Sequence, residues 1–228
     1  MATKDPSKAV LEKKKLEAEI AQLEMSSRSS AIDLELKELD YRQKLENFRT
    51  RMYAQRTFHF NDVIFGDSVA FCMNRIQDYV DLDPNAPITI VLNSPGGSVM
   101  DGFQLYDFIL DIRSRGVRID TVVMGMGASM AGVVAQAGES RIIGPNAYFM
   151  VHEVASMSLG KLSSMKDAVK FSERLYDRLL GILASRSKLS VEEIRQRADR
   201  KDWWLCASEA FEHGFIDRIL SVPIGQVA

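Results

Sequence analysis

Sulfur and imidazole are scarce in this chain, and the scarcity narrows its chemistry. Among 228 residues there are two cysteines, Cys72 and Cys206, and three histidines, His59, His152 and His213. Two cysteines far apart, each in an apolar stretch, build no disulfide framework and no zinc-spaced ligand set. Reduced thiols, a cytoplasmic setting and no bound metal are expected. Charge of one sign is also lacking, since 29 Lys and Arg stand against 31 Asp and Glu for a net charge of −2. That balance offers no basic face to nucleic acid or to an anionic membrane. Long apolar runs are missing as well: those around 121–126 and 131–137 contain or adjoin glycine and fall far short of the roughly 20 residues a membrane span takes. The lysine-rich start, 1–15, has no apolar core of the kind a signal peptide carries and runs into Glu17, Glu19 and Glu24. The sequence therefore predicts a soluble protein that binds neither nucleic acid nor membrane.

A local absence marks a boundary. No glycine precedes Gly66, and Pro6 is the one proline before it, so the charge-dense first 54 residues read as exposed helix, an extension to a domain over 55–223 with a short tail at 224–228. Leu16, Ile20 and Leu23 recur at the 4,3 spacing of a coiled-coil seam, and the spacing returns at Tyr41, Leu45 and Phe48 after Ser26-Ser27-Arg28-Ser29-Ser30. Two short amphipathic helices are expected on either side of that serine-rich break. A sustained coiled coil takes roughly three or four heptads, which leaves two readings open: a stalk for oligomerisation or partner docking, and a solvated helix packed on its own domain.

What the rest of the chain has in quantity is hydrophobic residues, 46% overall, arranged as strand, turn and helix in alternation. Pro87 to Leu92 is a β-branched run that ends in Asn93-Ser94-Pro95-Gly96-Gly97, and helical periodicity follows from Val99 to Ile112. Val117 to Met124 is a second strand, turning through Gly125-Met126-Gly127-Ala128 into a small-residue helix over Ser129 to Ala137. Tyr148 to Val151 is a third, ending on His152, with a long helix from about Ser163 to Arg186 beyond it. A helix capped by Ser190 and Glu193 then follows. Such alternation predicts an α/β fold with a largely parallel sheet.

Ligands bind at the carboxyl edge of such sheets, and a serine in the first turn of a helix directly after a buried strand stands at that edge. Ser129 has this position, among small neighbours that admit a substrate backbone. It is equally well placed as an ordinary N-cap. The N–H of Met130, at the helix start, and that of Gly96 or Gly97, in the other strand-to-helix turn, are candidate donors to an oxyanion; a plain tight turn accounts for the glycines too. Of the three histidines, His213 suits a helix end before Gly214, and His59 lies in an alternating edge stretch, Phe58-His59-Phe60. His152 ends an apolar strand as Ser129 does, which makes it the best base for an activated serine. The acid that would orient it is chosen from many; Asp202, before Trp203-Trp204-Leu205-Cys206, is expected to become buried, whereas Asp199, Glu192 and Glu193 sit on a charged helix.

Taken together, Asn93-Ser94-Pro95-Gly96-Gly97-Ser98, Met124-Gly125-Met126-Gly127-Ala128-Ser129-Met130, Pro145-Asn146 with Phe149-Met150-Val151-His152, and Asp202-Trp203-Trp204-Leu205 leading to Ala210 and Gly214-Phe215-Ile216-Asp217 resemble the Clp protease proteolytic subunit family from about Phe58 to Leu220. The resemblance implies a Ser-His-Asp triad on Ser129, His152 and Asp202 and an oxyanion hole from the backbone of Gly96 and Met130. It implies crotonase-type repeated ββα units, stacked rings of usually seven subunits interlocked by a handle helix at about 163–186, unfolded polypeptide as substrate and a hexameric AAA+ unfoldase as partner, with no cofactor. The chain departs from the family pattern at Glu153 to Ser158, where a Gln-Pro and glycine-rich segment is common, at Lys201, where arginine is common, and in its extension, which does not resemble the family's axial loops. A specialised relative, such as a phage-encoded one, fits those departures. Three other readings stand against the peptidase: a fold relative with a lysine base, an acyl-CoA enzyme of the crotonase type, and a catalytically silent ring scaffold.

Overall fold

A computed structural model describes residues 6–155 and 159–220, with side chains from 14–44 and from 55 onward. Two of the departures and features above, Ser156 to Ser158 and the tail 224–228, lie outside the described residues, as do the side chains of Leu45 and Phe48. The chain divides into two compact units, residues 1–55 and 56–228.

The first unit is one α-helix, α1 (Pro6–Gln55), of 50 residues. The serine-rich segment does not break it, which corrects the expectation of two short helices. Serine costs a helix interior only a few tenths of a kcal/mol, and the hydroxyl that competes for the backbone elsewhere is absorbed here, Ser30 Oγ donating to the Ser26 carbonyl at 3.0 Å. Without proline or glycine, nothing else stops the ladder.

In the second unit β1 (Thr57–Phe60), β2 (Ile88–Ser94), β3 (Ile119–Ala128), β4 (Arg141–Ile143) and β7 (Arg218–Ile219) lie side by side in that order, all parallel. Strand β3 is long enough to serve two neighbours on the same side. Its first half, Thr121 to Val123, pairs with β4; its last residues, Met126 to Ala128, pair with β5 (Tyr148–Val151), which in turn pairs antiparallel with β6 (Trp203–Cys206). A register shift between Leu92 and Ser94 marks where the sheet bends between these halves. Helices α2 (Gly66–Leu82), α3 (Val99–Ser114), α4 (Met130–Ala135), α5 (Leu162–Ser185), α6 (Val191–Ala198) and α7 (Ala207–Glu212) complete the unit. Strand β2 is a near-continuous apolar run because both of its faces are covered: Ile88, Ile90 and Leu92 are fully buried, and Val91 joins Val122, Ile142 and Leu220 in a second cluster.

Helix α4 is buried at every position, so its placement is set by packing on all sides. Phe149 stacks on Phe215 with ring centroids 5.2 Å apart beneath it, and at Gly132 a Cβ would lie 2.7 Å from the Phe149 ring. Its far end is tied down by polar contacts: the Gln136 amide donates to the Gly132 and Phe215 carbonyls and accepts from Arg141, whose guanidinium also pairs with Asp217. Asp217 keeps its carboxyl below the usual range because Arg141 hydrogen bonds outweigh the burial that opposes ionisation.

Deleting residues 1–54 is expected to leave a cooperative thermal transition followed by circular dichroism, because the sheet and its core lie within the second unit. Cutting there retains Arg56, whose side chain donates to the Tyr79, Ala86 and Pro87 carbonyls. A truncated chain without such a transition would make α1 part of the core.

Candidate active site

Parallel pairing of β3 with β5 sets Ala128 opposite Met150, so Ser129, which follows β3, and His152, which follows Val151 at the end of β5, leave the sheet close to one another. The Ser129 N–H donates to the Met150 carbonyl at 2.9 Å. Antiparallel pairing of β5 with β6 sets Val151 opposite Trp203, which puts Asp202 across from His152. Three residues distant in sequence thus meet through strand register alone.

The Ser129 hydroxyl does not cap α4. It occupies the N-cap position with no side-chain capping hydrogen bond, and its Oγ lies 2.7 Å from His152 Nε2 instead. Its backbone has φ 55° and ψ −125°, a conformation that costs a non-glycine residue on the order of 1–3 kcal/mol and turns the hydroxyl toward the cleft. On the other side of the imidazole, Nδ1 is 3.8 Å from Asp202 Oδ1, beyond hydrogen-bonding distance. The Asp202 side chain is 59% exposed, contrary to the expected burial. Only Leu205 of the apolar segment after it is fully buried, since β6 pairs with β5 on one side only and Trp204 faces outward.

Glycine is required in the turn after β2. At Gly96, with φ 94°, a Cβ would lie 2.7 Å from both the Ala128 carbonyl and Ser129 Cβ and 2.9 Å from the Met130 nitrogen, so the turn is pressed against the start of α4. At Gly97 a Cβ would lie 2.3 Å from the Ile64 carbonyl oxygen. The Gly96 N–H donates to the buried Ser94 Oγ at 3.2 Å. The N–H groups of Gly97 and Met130 have no acceptor among the described residues, the latter because it opens its helix.

Gly97, Ser129, Met130 and His152 line a cleft of about 240 Å³, walled by the 151–155 segment and by Leu179, Leu180, Leu183 and Tyr176 of α5. The Tyr176 hydroxyl is shielded from solvent without a hydrogen-bond partner among the described residues; burial pushes its pKa up and Glu153 adds to the rise. Sequence reasoning missed both this α5 wall and the part of Ser94. The 3,4 spacing from Tyr176 to Leu183 shows an apolar face but not what that face covers.

Other residues weighed from the sequence lie elsewhere. His59 is exposed on the edge strand β1, and His213 caps α7 before Gly214, its ring 5.5 Å from that of Trp203. Cys72 is buried, which pushes its thiol up, and Cys206 is half-buried; both are free. Among the described residues no three His, Cys, Asp or Glu gather as a metal cluster, and no helix is long and apolar enough to cross a membrane.

Comparison with known proteins gives one answer. The Clp protease family model matches residues 41–223. The ATP-dependent Clp protease proteolytic subunit of Porphyromonas gingivalis is 35% identical over 168 residues, covering 68% of this chain and 74% of the relative. That of Bacteroides fragilis is 33% identical over 168 residues, covering 68% and 79%, and subunit 2 of Tropheryma whipplei is 37% identical over 139 residues, covering 60% and 75%. A match of this extent, over the sheet and every residue of the cleft, means that the chain belongs to the Clp protease family.

Proposed function

We propose that this chain is a serine endopeptidase in which Ser129 attacks the scissile carbonyl, His152 takes its proton and returns it to the leaving amine, and water hydrolyses the acyl-enzyme. The observation that carries the reading is the Ser129 hydroxyl, turned away from a capping bond it is well placed to make and held 2.7 Å from His152 Nε2. Asp202 orients the imidazole and supports its positive form, closing from 3.8 Å to hydrogen-bond distance once peptide fills the cleft. The oxyanion is received by the Met130 N–H and by that of Gly97, because the Gly96 N–H is already engaged. The substrate is unfolded polypeptide, whose extended backbone passes between the 95–97 turn and the 151–155 segment.

The relatives are named as proteolytic subunits of an ATP-dependent protease, and this chain is proposed to act likewise in the cytoplasm, as stacked rings of seven enclosing a chamber fed by a hexameric AAA+ unfoldase. Helix α5 is the handle between rings, in support of which its first half exposes Leu162, Met165, Val169 and Phe171, an apolar run unlike a solvated surface.

The test is a fluorophosphonate probe applied to wild type and Ser129→Ala, followed by degradation of an unfolded fluorescent protein with a Clp-type unfoldase and ATP. Labelling of the wild type alone, with ATP-dependent degradation, is expected. A folded wild type that takes no label is a silent scaffold, and turnover of acyl-CoA thioesters in place of peptides would return the crotonase reading.

A further inference from the structure

Helix α1 carries two apolar rows on opposite sides, and its residues are exposed throughout 14–44. Leu16, Ile20, Leu23, Leu34 and Tyr41 form the first row, between 50% and 70% exposed; Met25, Ile32, Leu36 and Leu39 form the second, between 56% and 74% exposed. Within each row residues recur at multiples of seven, as 20, 34 and 41 do in one and 25, 32 and 39 in the other. The rows are offset by two residues, which at 3.6 per turn is about 200° around the axis. This opposition is why α1 has almost no net amphipathicity, against the single seam expected from the sequence. Such a helix has not one face to bury but two.

The seams between the rows carry opposite charges four residues apart: Glu24 with Arg28, Asp33 with Lys37, and Asp40 with Lys44, the last pair 2.7 Å apart. Six basic residues stand against seven acidic ones between 14 and 44, so the helix has no sign with which to select a strongly charged partner and no net charge with which to repel its own copy. Each row offers on the order of 500 Å² of apolar surface, short of the roughly 800 Å² that one partner contributes to a standard interface, whereas both rows together exceed it. Pairing through one row leaves the other in water.

We propose that each α1 packs between two further copies of α1, the 16–41 row of one against the 25–39 row of the next, so that the extensions close into a parallel bundle. Two different faces of one chain meeting each other is a heterologous contact, which among identical subunits makes a ring when the rotation closes, as a ring of protease domains would impose. Both rows thin out at one level, Ser26 to Ser30, so parallel copies in register stack small residue on small residue. Choosing a second copy as the occupant rests on the ring assembly proposed above, which holds neighbouring extensions at high effective concentration. The family match begins at residue 41, so this bundle belongs to the chain's own extension.

The test is disulfide trapping in the full-length protein. In a Cys206→Ser background, Ser27→Cys places a thiol in line with Ile20 and Leu34, and Ser29→Cys places one in line with Met25 and Leu36. Serine to cysteine exchanges one atom, so the helix is retained. After oxidation and denaturation, the double variant is expected to run as a ladder extending beyond dimer, and each single variant to stay uncross-linked. Dimers from Ser27→Cys alone would mean that like rows meet in a pairwise coiled coil, and would overturn the proposal. Absence of any cross-link while native mass spectrometry still finds rings would overturn it too, leaving the ring reading intact; monomers in that measurement would remove the ring reading itself and the bundle with it.

Discussion

His152→Ala is expected to lower peptide hydrolysis on the order of 10⁵-fold, which is about 7 kcal/mol of transition-state stabilisation, while particle mass and the thermal transition stay as in wild type. The size follows from what the imidazole does. At 2.7 Å from Ser129 Oγ it is the one imidazole of the three beside the hydroxyl, His59 and His213 lying on β1 and at the end of α7, and without it the serine remains protonated at neutral pH. The lack of a structural effect follows from position: His152 leaves the end of β5 at the cleft and is only partly buried. Serine and histidine act as a unit, so Ser129→Ala combined with His152→Ala is expected to be no slower than either variant alone. Steady-state cleavage of a fluorogenic peptide measures all three. Turnover within tenfold of wild type in His152→Ala would remove the histidine from the mechanism.

Asp202→Asn is expected to cost on the order of 10²–10³-fold in kcat, less than replacing a fully buried triad acid, for which about 10⁴-fold is known. Two facts set the smaller figure. The carboxylate stands 3.8 Å from Nδ1 and is 59% exposed, so water screens part of its support for the imidazolium. What the amide still does is present its NH₂ group to Nδ1 and favour the wrong tautomer. Asp199→Asn serves as the control, expected within a factor of two of wild type, since Asp199 caps the end of α6 and faces Tyr176 and Arg195 in a neighbouring hollow lined by none of Ser129, His152 and Asp202. A large loss in Asp199→Asn with little in Asp202→Asn would transfer the role of acid to Asp199.

The strand-to-helix alternation of the second unit is legible because buried parallel strands are apolar at every position and their turns demand glycine. Ile88 to Leu92 before Gly96-Gly97 falls where β2 lies; Gly125 to Ala128, read as a turn after the second strand, is instead the end of β3, because Met126 to Ala128 find a partner in β5. The capping box at Ser190 and Glu193 is likewise local, and forms as expected with Glu193 Oε2 accepting from the Ser190 N–H at 2.8 Å. Ser129 and His152 are conspicuous in sequence as polar residues that end apolar strands.

What local pattern does not carry is which strand neighbours which, and the rest of the site depends on that. Asp202 is one of many acids until β6 pairs antiparallel with β5 and Val151 falls opposite Trp203; its exposure, misjudged from the apolar residues after it, is set by β6 having β5 as its one partner. The α5 wall of the cleft is also a contact between segments far apart, invisible to spacing. In α1 the reverse holds: the sequence contains both apolar rows, but whether Ser26 to Ser30 ends a helix or continues it was decided by the backbone hydrogen bonds of a single helix, and only its continuity reveals that the two rows oppose each other. The sequence by itself determined the order of elements and the residue types that chemistry needs, because those follow from short-range periodicity and turn sterics; the tertiary structure alone decided register and exposure, because those are set by the pairing of strands that the chain brings together across many residues.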